Sequence, residues 1–319
     1  PLSRMLANCW GGSHQCSTRT VAGGGHTTTV VNVDSTGSWL VGAVVAWEDD
    51  DGRLHPRVIT DITGLAVTLN TALPDTPQDG DLIRGGLTIF IDEDVITDTS
   101  SNAGSTMAAC IQKGANGAAG FELRGCKAEL SGINFEREGF PVLDFTVMAA
   151  NHDDPSTGPN PLLPSATFPL PSVMGPDTSI LVEDSDSSTL TGVCSGSVSV
   201  TPGVPVTPLE CLADNLGDME GVALYSTSPA DSTIELQLFP FDSTLYTDKA
   251  ADTNKQIAVI KHGSAGGAFA FFAQNCEIQS VVFGEGEFTS SEMRLRAVEH
   301  APETATTALE RSKVRIFLG

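Results

Sequence analysis

The most regular feature of the chain is a pattern of alternating apolar and polar positions that occurs twice, at residues 121–148 and 271–298. In each copy, an alternating segment around a cysteine leads through a polar turn containing glycine into a second alternating segment, which is typical of a β-hairpin. The copies align without a gap when the two cysteines are superimposed. The strand positions paired in this way are Cys126 with Cys276, Ala128 with Ile278, Leu143 with Met293, and Phe145 with Leu295.

The similarity continues upstream of both hairpins. Residues 108–114 align with 257–263, and residues 87–91 align with 234–238, each followed by a polar loop. One unit therefore reads strand, long loop, strand, glycine turn, strand, turn, strand. Two such units indicate a duplicated β domain. The alternative is that two unrelated hairpins align by chance, because patterns of period two are easily matched.

The segments outside the repeat complete the predicted organisation. Residues 27–83 have no second copy, and their short strands with Asp-Gly turns predict a small barrel-like insertion. Residues 151–180 are too rich in proline for a central strand and predict a linker or arm. We therefore predict an all-β chain with one or two short helices. Its first unit is made of residues 1–26 and 84–150, and its second unit of residues 181–319. The two short helices are predicted at 2–10 and 208–216, and residues 299–312 are a further candidate segment.

The charge is strongly acidic, with 40 acidic and 17 basic residues and a formal net charge of −23. This composition argues against a protein that grips nucleic acid through its phosphates. It is compatible with a surface past which nucleic acid must slide, because carboxylates repel phosphate. Plain solubility is the alternative explanation of the same charge.

Candidate chemistry is sparse. Seven cysteines form no dense framework, and we interpret them as reduced thiols of a protein made inside a cell. Cys9, His14 and Cys16 are three possible zinc ligands, but no second cluster supplies a fourth, so no metal is predicted. No motif indicates a catalytic residue or a cofactor, and no enzyme activity is predicted. No apolar run approaches the length of a membrane span.

The hairpin sequence GCKAELSGINFEREGFPVLDFTV resembles the corresponding segment in the tail tube proteins of long-tailed bacteriophages. The matching features are Gly125 and Cys126 at the start of a strand, the glycine turn at Gly139, and the Pro-x-Leu-x-Phe pattern at residues 141–145. The second copy supplies Cys276 and an alternating strand, but it lacks the proline. The resemblance covers the two units and leaves the insertion outside.

The resemblance implies β-sandwich or split-barrel units whose strands join those of neighbouring subunits around a channel. In the duplicated variety, three chains form a homotrimeric, pseudo-hexameric ring, and rings stack head to tail into a tube. DNA would pass without specific binding, other tail proteins would contact the tube ends, and the protein would reside in the virion after assembly in the host cytoplasm. The hairpin strands would form the tube wall, and the insertion would lie outside it.

Stacking of rings requires polar loops, and the matched segments 92–106 and 242–256 are the candidates. Long loops are either functional or disordered, so an unstructured surface loop is the alternative. The candidate inter-ring residues are Asp92, Glu93, Asp94, Asp98, Asp242, Tyr246, Asp248 and Asp252.

Two other classes of function remain open from the sequence. One is a capsid decoration protein or a carbohydrate-binding surface module, in which the insertion would be the functional part. The other is a secreted β-rich hydrolase, which is disfavoured because no pair of acidic residues stands out.

Overall fold

We describe the protein from a computed structural model. The described residues are 2–97, 107–113, 119–136, 141–149, 151–153, 178–185, 187, 193–208, 225–227, 231–240, 242–264, 266–284, 289–299 and 305–319.

Strands dominate these residues, which confirms the all-β prediction; four short helices accompany them. The helices are α1 (Leu2–Trp10), α2 (Glu93–Thr97), α3 (Thr244–Ala250) and α4 (Ala308–Arg311). The strands are β1 (Gly11–Gln15), β2 (Arg19–Thr20), β3 (Val30–Asn32), β4 (Val44–Glu48), β5 (Leu54–Thr63), β6 (Ala66–Leu69), β7 (Leu82–Arg84), β8 (Leu87–Ile91), β9 (Met107–Lys113), β10 (Ala119–Glu136), β11 (Val142–Met148), β12 (Asn151–Asp153), β13 (Thr178–Asp184), β14 (Cys194–Thr201), β15 (Val206–Pro208), β16 (Tyr225–Thr227), β17 (Ser232–Phe239), β18 (Lys255–Lys261), β19 (Phe269–Gly284), β20 (Ser290–Ala297) and β21 (Arg315–Leu318).

The short helices fall where local sequence signals place them. α1 forms over the predicted residues and ends at the Gly11-Gly12 pair, where Gly11 has a positive φ. α4 lies within the predicted segment 299–312 and begins with a capping box, in which Thr307 and Glu310 each satisfy the other's backbone N–H. The helix predicted at 208–216 lies almost wholly outside the described residues, and so does most of the predicted arm at 151–180.

The largest sheet has 13 strands and curls into a half-barrel. Its main path runs β1-β8-β21-β19-β20-β17-β14-β10-β11, and β9, β12, β13 and β18 pair at its flanks. The sheet does not stop between the two predicted units, because β10 of the first pairs with β14 of the second. One large hydrophobic core, which includes Leu6, Ile133, Phe271 and Leu295, lies against the sheet.

Both predicted hairpins are present, and they share an irregularity. β10 pairs with β11 and β19 pairs with β20, and each long strand has a β-bulge, at Ser131 in one and at Gln279 in the other. A bulge inserts one extra residue and bends the strand. The same bend therefore occurs at the same height in both copies.

The pairing register corrects the predicted alignment of the first strands. Ala128 lies opposite Val147, and Cys276 lies opposite Ala297, which is the counterpart of Val147. Cys276 is therefore equivalent to Ala128 and not to Cys126. A shift of two residues keeps every side chain on its face of the sheet, so alternation alone could not detect it.

The predicted equivalence of residues 87–91 and 234–238 is also wrong. β17, which contains residues 234–238, pairs with β20 of its hairpin and with β14. β8, which contains residues 87–91, pairs with β1 and β21 and not with the hairpin strand β11. These partners are distant in sequence, and the local pattern carries no information about them.

The second sheet is a small barrel. Its six strands follow the order β2-β7-β4-β5-β6-β3, and a bridge between Val21 and Val33 joins the two ends. The sheet spans residues 19–84, slightly more than the predicted insertion, and encloses a core with Trp39 and Trp47. A third core, with Val58 on the barrel side and Phe272 on the other, joins the barrel to the large sheet.

Candidate functional site

The exposed face of the curled sheet is polar. Strands β14, β17 and β20 alternate between buried residues and exposed or half-buried, mostly polar ones, as a sheet with one solvated face does. In β11 the alternation is between half-buried apolar residues and exposed ones, and in β19 it is confined to the second half of the strand. The sheet forms a depression of about 440 Å³ on this face, lined by side chains of four strands. The residues that define this polar face are Ser197, Ser199, Glu235, Gln237, Ser280, Glu292, Arg294, Arg296, Glu277, Asp144 and Thr146.

The two arginines of the polar face are held by carboxylates. Arg294 lies opposite Glu235 on the neighbouring strand, with its Nε 3.6 Å from a carboxylate oxygen. Arg296 donates from Nε to Glu277 at 3.1 Å and contacts Asp231 at 3.5 Å. The hydrogen bonds that Glu277 accepts raise the pKa of Arg296 above its ordinary value. Each guanidinium group thus forms an ion pair with an acidic side chain.

A polar ladder continues this face across the contact between the two predicted units. The Ser199 hydroxyl donates to the Asn134 side-chain oxygen at 2.8 Å, and the Asn134 amide donates to Asp144 at 3.3 Å. These bonds connect β14, β10 and β11. The polar face is therefore continuous from one hairpin to the other.

The hairpin residues predicted for the tube wall lie on the opposite face. Five of them are buried in the core, and the other three are half-buried and pack against it. Burial raises the pKa of the Cys276 thiol, so this cysteine is an inert apolar group. The buried five are Cys126, Ala128, Cys276, Met293 and Leu295, and the half-buried three are Leu143, Phe145 and Ile278.

The two hairpins differ in what covers their outer edges. Beyond its pairing with β9, the edge of β10 is covered by β14, and Phe135 lies opposite Val198. The counterpart of Phe135 in the second hairpin is Phe283. Among the described residues, no strand continues along that side of β19 after β18. Phe135 is 2% exposed, and Phe283 is 42% exposed.

The same contrast extends along the edge. The Val206 N–H donates to Glu129 at 2.9 Å, and Val206 is buried, so the chain after β14 fills the space beside β10. Glu277 is the counterpart of Glu129. Beside it lies a groove of about 500 Å³, lined by the turn after α3 and by the start of the exposed edge. The lining residues are Lys249, Asp252, Thr253, Asn254, Glu277, Ile278 and Gln279.

The other end of the sheet is also uncovered. β11 pairs with β10 on one side, and within the described chain no strand pairs with its other side. The equivalent side of β20 is covered by β17. Val142 of β11 and Val282 of β19 are exposed by 49% and 54%. Within the described residues, the six-strand path from β19 to β11 thus has no paired strand beyond either end.

The first predicted inter-ring loop is tied to the C-terminal segment where the structure describes it. Asp92 accepts from the Val95 N–H at the start of α2. Glu93 pairs with Lys313 at 2.8 Å, and Asp94 pairs with Arg311 at 3.3 Å. Asp98 lies outside the described residues.

The second predicted loop contains α3. Asp242 accepts from the Thr244 N–H at the start of the helix at 2.8 Å, and Asp248 accepts from Lys255 at 2.7 Å. Tyr246 is 41% exposed, and Asp252 is exposed with a φ of 53°. Both side chains therefore form part of the surface of this segment.

The possible zinc ligands do not converge. Cys9 belongs to the large core, and Cys16 belongs to the barrel core. Burial raises the pKa of each thiol to about 12. His14 hydrogen-bonds through Nε2 to the Ser38 carbonyl at 2.8 Å. Within the described part of the chain, no group of three or more metal-ligating side chains comes together.

Sequence reasoning missed the polar face and the open edge. The signal for the face was the set of positions between the apolar ones, where Arg294 and Arg296 alternate with Met293 and Leu295. The edge had no local signal, because exposure of Phe283 depends on which distant strand lies beside it. Within the described residues, no helix is long and apolar enough to cross a membrane.

Comparison of this chain with protein-family models gives no match, and comparison with curated proteins gives none either.

Proposed function

We propose that this chain is a tail tube subunit of a long-tailed bacteriophage, which forms rings around a channel that conducts DNA. The observation that supports the proposal is the curled sheet, whose polar face holds its arginines in ion pairs and whose two end strands each have, among the described residues, a side without a paired strand. A curved sheet open at both ends closes when further copies extend it. A head-to-tail contact of this kind gives a ring if its rotation closes.

The polar face suits the wall of a DNA channel. Glu235, Glu292 and Asp144 are exposed there, and carboxylates repel the phosphates of DNA. Binding of DNA by proteins comes largely from lysine and arginine contacts to phosphate. Arg294 and Arg296 are already paired with carboxylates, so the face offers phosphates little to bind. DNA can then move past without being held.

In this proposal three chains form one pseudo-hexameric ring, because each chain contributes two similar hairpins. Rings stack head to tail, and the exposed part of the segment around Tyr246 and Asp252 is available for the contact between rings. The protein is a component of the virion, assembled in the host cytoplasm, and it contacts other tail proteins at the tube ends. It performs no catalysis.

The barrel does not favour the carbohydrate-binding alternative. Sugar-binding surfaces commonly use exposed aromatic rings, whereas Trp39 and Trp47 of the barrel are 4% and 7% exposed. Both indoles pack inside the barrel core. We therefore advance no second function.

Electron microscopy of the purified chain tests the proposal. We expect rings with a central hole, and stacks of rings at higher protein concentration. Class averages resolve whether a ring contains three chains. Persistent monomers at high concentration, with the folded chain verified by circular dichroism, contradict the proposal.

A further inference from the structure

Arg315 is a buried cation where the barrel, the large sheet and α4 meet. It is the first residue of β21, it lies between β8 and β19, and it is fully buried. Its Nη1 donates to the side-chain oxygen of Gln274, and its Nη2 donates to the carbonyls of Leu309 at 2.7 Å and Glu310 at 3.0 Å. All of these acceptors are uncharged. Burial of a charge is costly unless an opposite charge accompanies it.

No acidic side chain of the described residues supplies that opposite charge. Burial lowers the pKa of Arg315 to about 10, and no carboxylate opposes the shift. The nearby carboxylate of Glu310 instead accepts from the Thr306 N–H at 2.6 Å, before the start of α4. The Nε of Arg315 is buried too, and it has no hydrogen-bond acceptor in the described part of the chain. The guanidinium group therefore lacks both a counter-charge and an acceptor there.

The side chain of Arg315 lines a pocket of about 30 Å³. The barrel contributes Ile59 and Thr60 to the wall, and β19 contributes Gln274. The amide NH₂ group of Gln274 is a second donor, because its amide oxygen is the atom that accepts from Arg315. Thr60 is exposed, so the pocket is in contact with solvent. A space of this size holds about one small ion or one or two water molecules.

Arg57 provides an internal comparison, since it is the other buried arginine among the described residues. It donates from Nε and Nη2 to the Ala72 carbonyl, and from Nη1 to the Pro56 carbonyl. Each nitrogen atom of this guanidinium group thus has an acceptor. The pocket beside Arg57 has only about 10 Å³ and is lined mainly by apolar side chains. Carbonyl groups alone therefore satisfy Arg57, and they do not satisfy Arg315.

We propose that the pocket at Arg315 binds a small monovalent inorganic anion of the size of chloride. Such an ion accepts from the Nε–H group and supplies the counter-charge, whereas a water molecule supplies an acceptor alone. The volume of the pocket excludes a nucleotide or a sugar phosphate. This inference goes beyond the proposed function and does not depend on it.

The anion would stabilise the contact between the barrel and the large sheet. Gly42 of the barrel lies so close to α4 that a Cβ atom there would be 2.6 Å from the Leu309 carbonyl oxygen. The same carbonyl accepts from Arg315. Neutralisation of this guanidinium group therefore removes an unfavourable buried charge from the place where the barrel packs against the rest of the chain.

Thermal unfolding of the full chain tests the proposal in solution. The measured quantity is the chloride effect, defined as the melting temperature in sodium chloride minus that in sodium gluconate at equal concentration. An ion that binds only the folded chain stabilises it, so the chloride effect should be roughly 2–4 °C more positive in the unaltered protein than in Arg315→Met. Arg57→Met is the matched control and should retain the chloride effect of the unaltered protein.

Anomalous diffraction locates the ion directly. Crystals of the unaltered protein are soaked in sodium bromide, because bromide replaces chloride and scatters anomalously. We expect a bromide peak in contact with the guanidinium group of Arg315, and no such peak beside Arg57. If Arg315→Met does not fold, this measurement on the unaltered protein decides alone.

Bromide in the pocket, together with a chloride effect that Arg315→Met alone has lost, supports the proposal. An ordered water molecule in place of bromide overturns it, and so does an equal chloride effect in all three proteins. Bromide in the crystal without a chloride effect in solution indicates an adventitious ion only and also overturns the proposal. Neither measurement requires ring formation, so the tube proposal stands or falls separately.

Discussion

The imidazole rings of His55 and His262 lie 4.9 Å apart, at the contact between the barrel and the large sheet. His262 donates from Nδ1 to the Leu54 carbonyl at 2.9 Å and accepts from the Ser179 hydroxyl at 2.9 Å through Nε2. His55 is bonded through Nε2 to Asp49 at 2.8 Å. Burial favours a deprotonated imidazole at His262, whereas its hydrogen bond to the Leu54 carbonyl raises the pKa and opposes this effect.

Acid should weaken this contact. Burial lowers the pKa of both histidines below the ordinary value of 6.5; Asp49 opposes the shift at His55, and Arg53 and Arg57 add to it. Because the folded state binds protons less readily than the unfolded state, stability is complete above pH 6.5. It falls as the pH decreases toward the folded pKa. We expect a lower melting temperature at pH 5.5 than at pH 7.5, measured by differential scanning calorimetry.

Two matched variants test whether His262 causes the decrease in melting temperature at low pH. His262→Gln should reduce the difference between the two melting temperatures, whereas His14→Gln should leave it as in the unaltered protein. An unchanged difference in His262→Gln would show that other groups are responsible.

The paired phenylalanines should differ in their effect on stability. Phe135→Ala removes a buried ring from a packed core and should lower the free energy of unfolding by about 3–5 kcal/mol. Phe283→Ala removes a half-exposed ring and should cost less than about 1 kcal/mol in the monomer. Urea unfolding under dilute conditions measures both values. Equal losses would contradict the difference in coverage of the two edges.

The carboxylates beside the arginines should control binding of DNA. A double variant, Glu235→Gln with Glu277→Gln, removes the carboxylate beside Arg294, leaves Arg296 with Asp231 alone, and lowers the negative charge of the polar face. We expect measurable affinity for duplex DNA at low salt, which decreases as salt increases. Fluorescence anisotropy with labelled DNA is the measurement.

The control for this experiment makes the same change of charge elsewhere. Asp50→Asn with Asp51→Asn alters an exposed turn of the barrel by the same two charges. If both double variants gain equal affinity, total charge and not the polar face governs binding of DNA.

Lys255 should hold the segment around α3 in place. It is buried and donates to Asp184 and Asp248; burial alone would lower its pKa, but the two hydrogen bonds raise it above 10.5. This contribution to stability is present below pH 10.5 and is lost as the pH rises through the folded pKa. Lys255→Met leaves both carboxylates without their cation.

We expect Lys255→Met to lower the free energy of unfolding by about 1–3 kcal/mol at pH 7, measured by urea unfolding. Lys249→Met is the control, because Lys249 is exposed on α3, the helix that carries Asp248. Similar losses in the two variants would show that the ion pairs of Lys255 add little.

The all-β class, the two hairpins and α1 could be predicted from sequence because each depends on local periodicity or capping. The two-residue difference between Ala128 and Cys276 could not, since both registers place the same residues in the core. The partners of β8 and the bridge from Val21 to Val33 join distant segments, and no local pattern encodes them. The candidate site escaped prediction for the same reason. Whether Phe135 or Phe283 is exposed is decided by the position of β14.

The shared bulge at Ser131 and Gln279 bears on the history of the chain. The duplication predicted from the sequence would account for an extra residue at one height of two equivalent strands, because a single ancestral hairpin would have carried it before the gene segment was copied. The bend it introduces would then be older than the two-unit chain. Within the described residues, a strand covers the outer edge in one half only, and this difference would have arisen after the duplication. Deletion of Ser131 or Gln279 would remove the bulge from one hairpin. The effect of the strand β14 on the edge of β10 could then be studied without the bend.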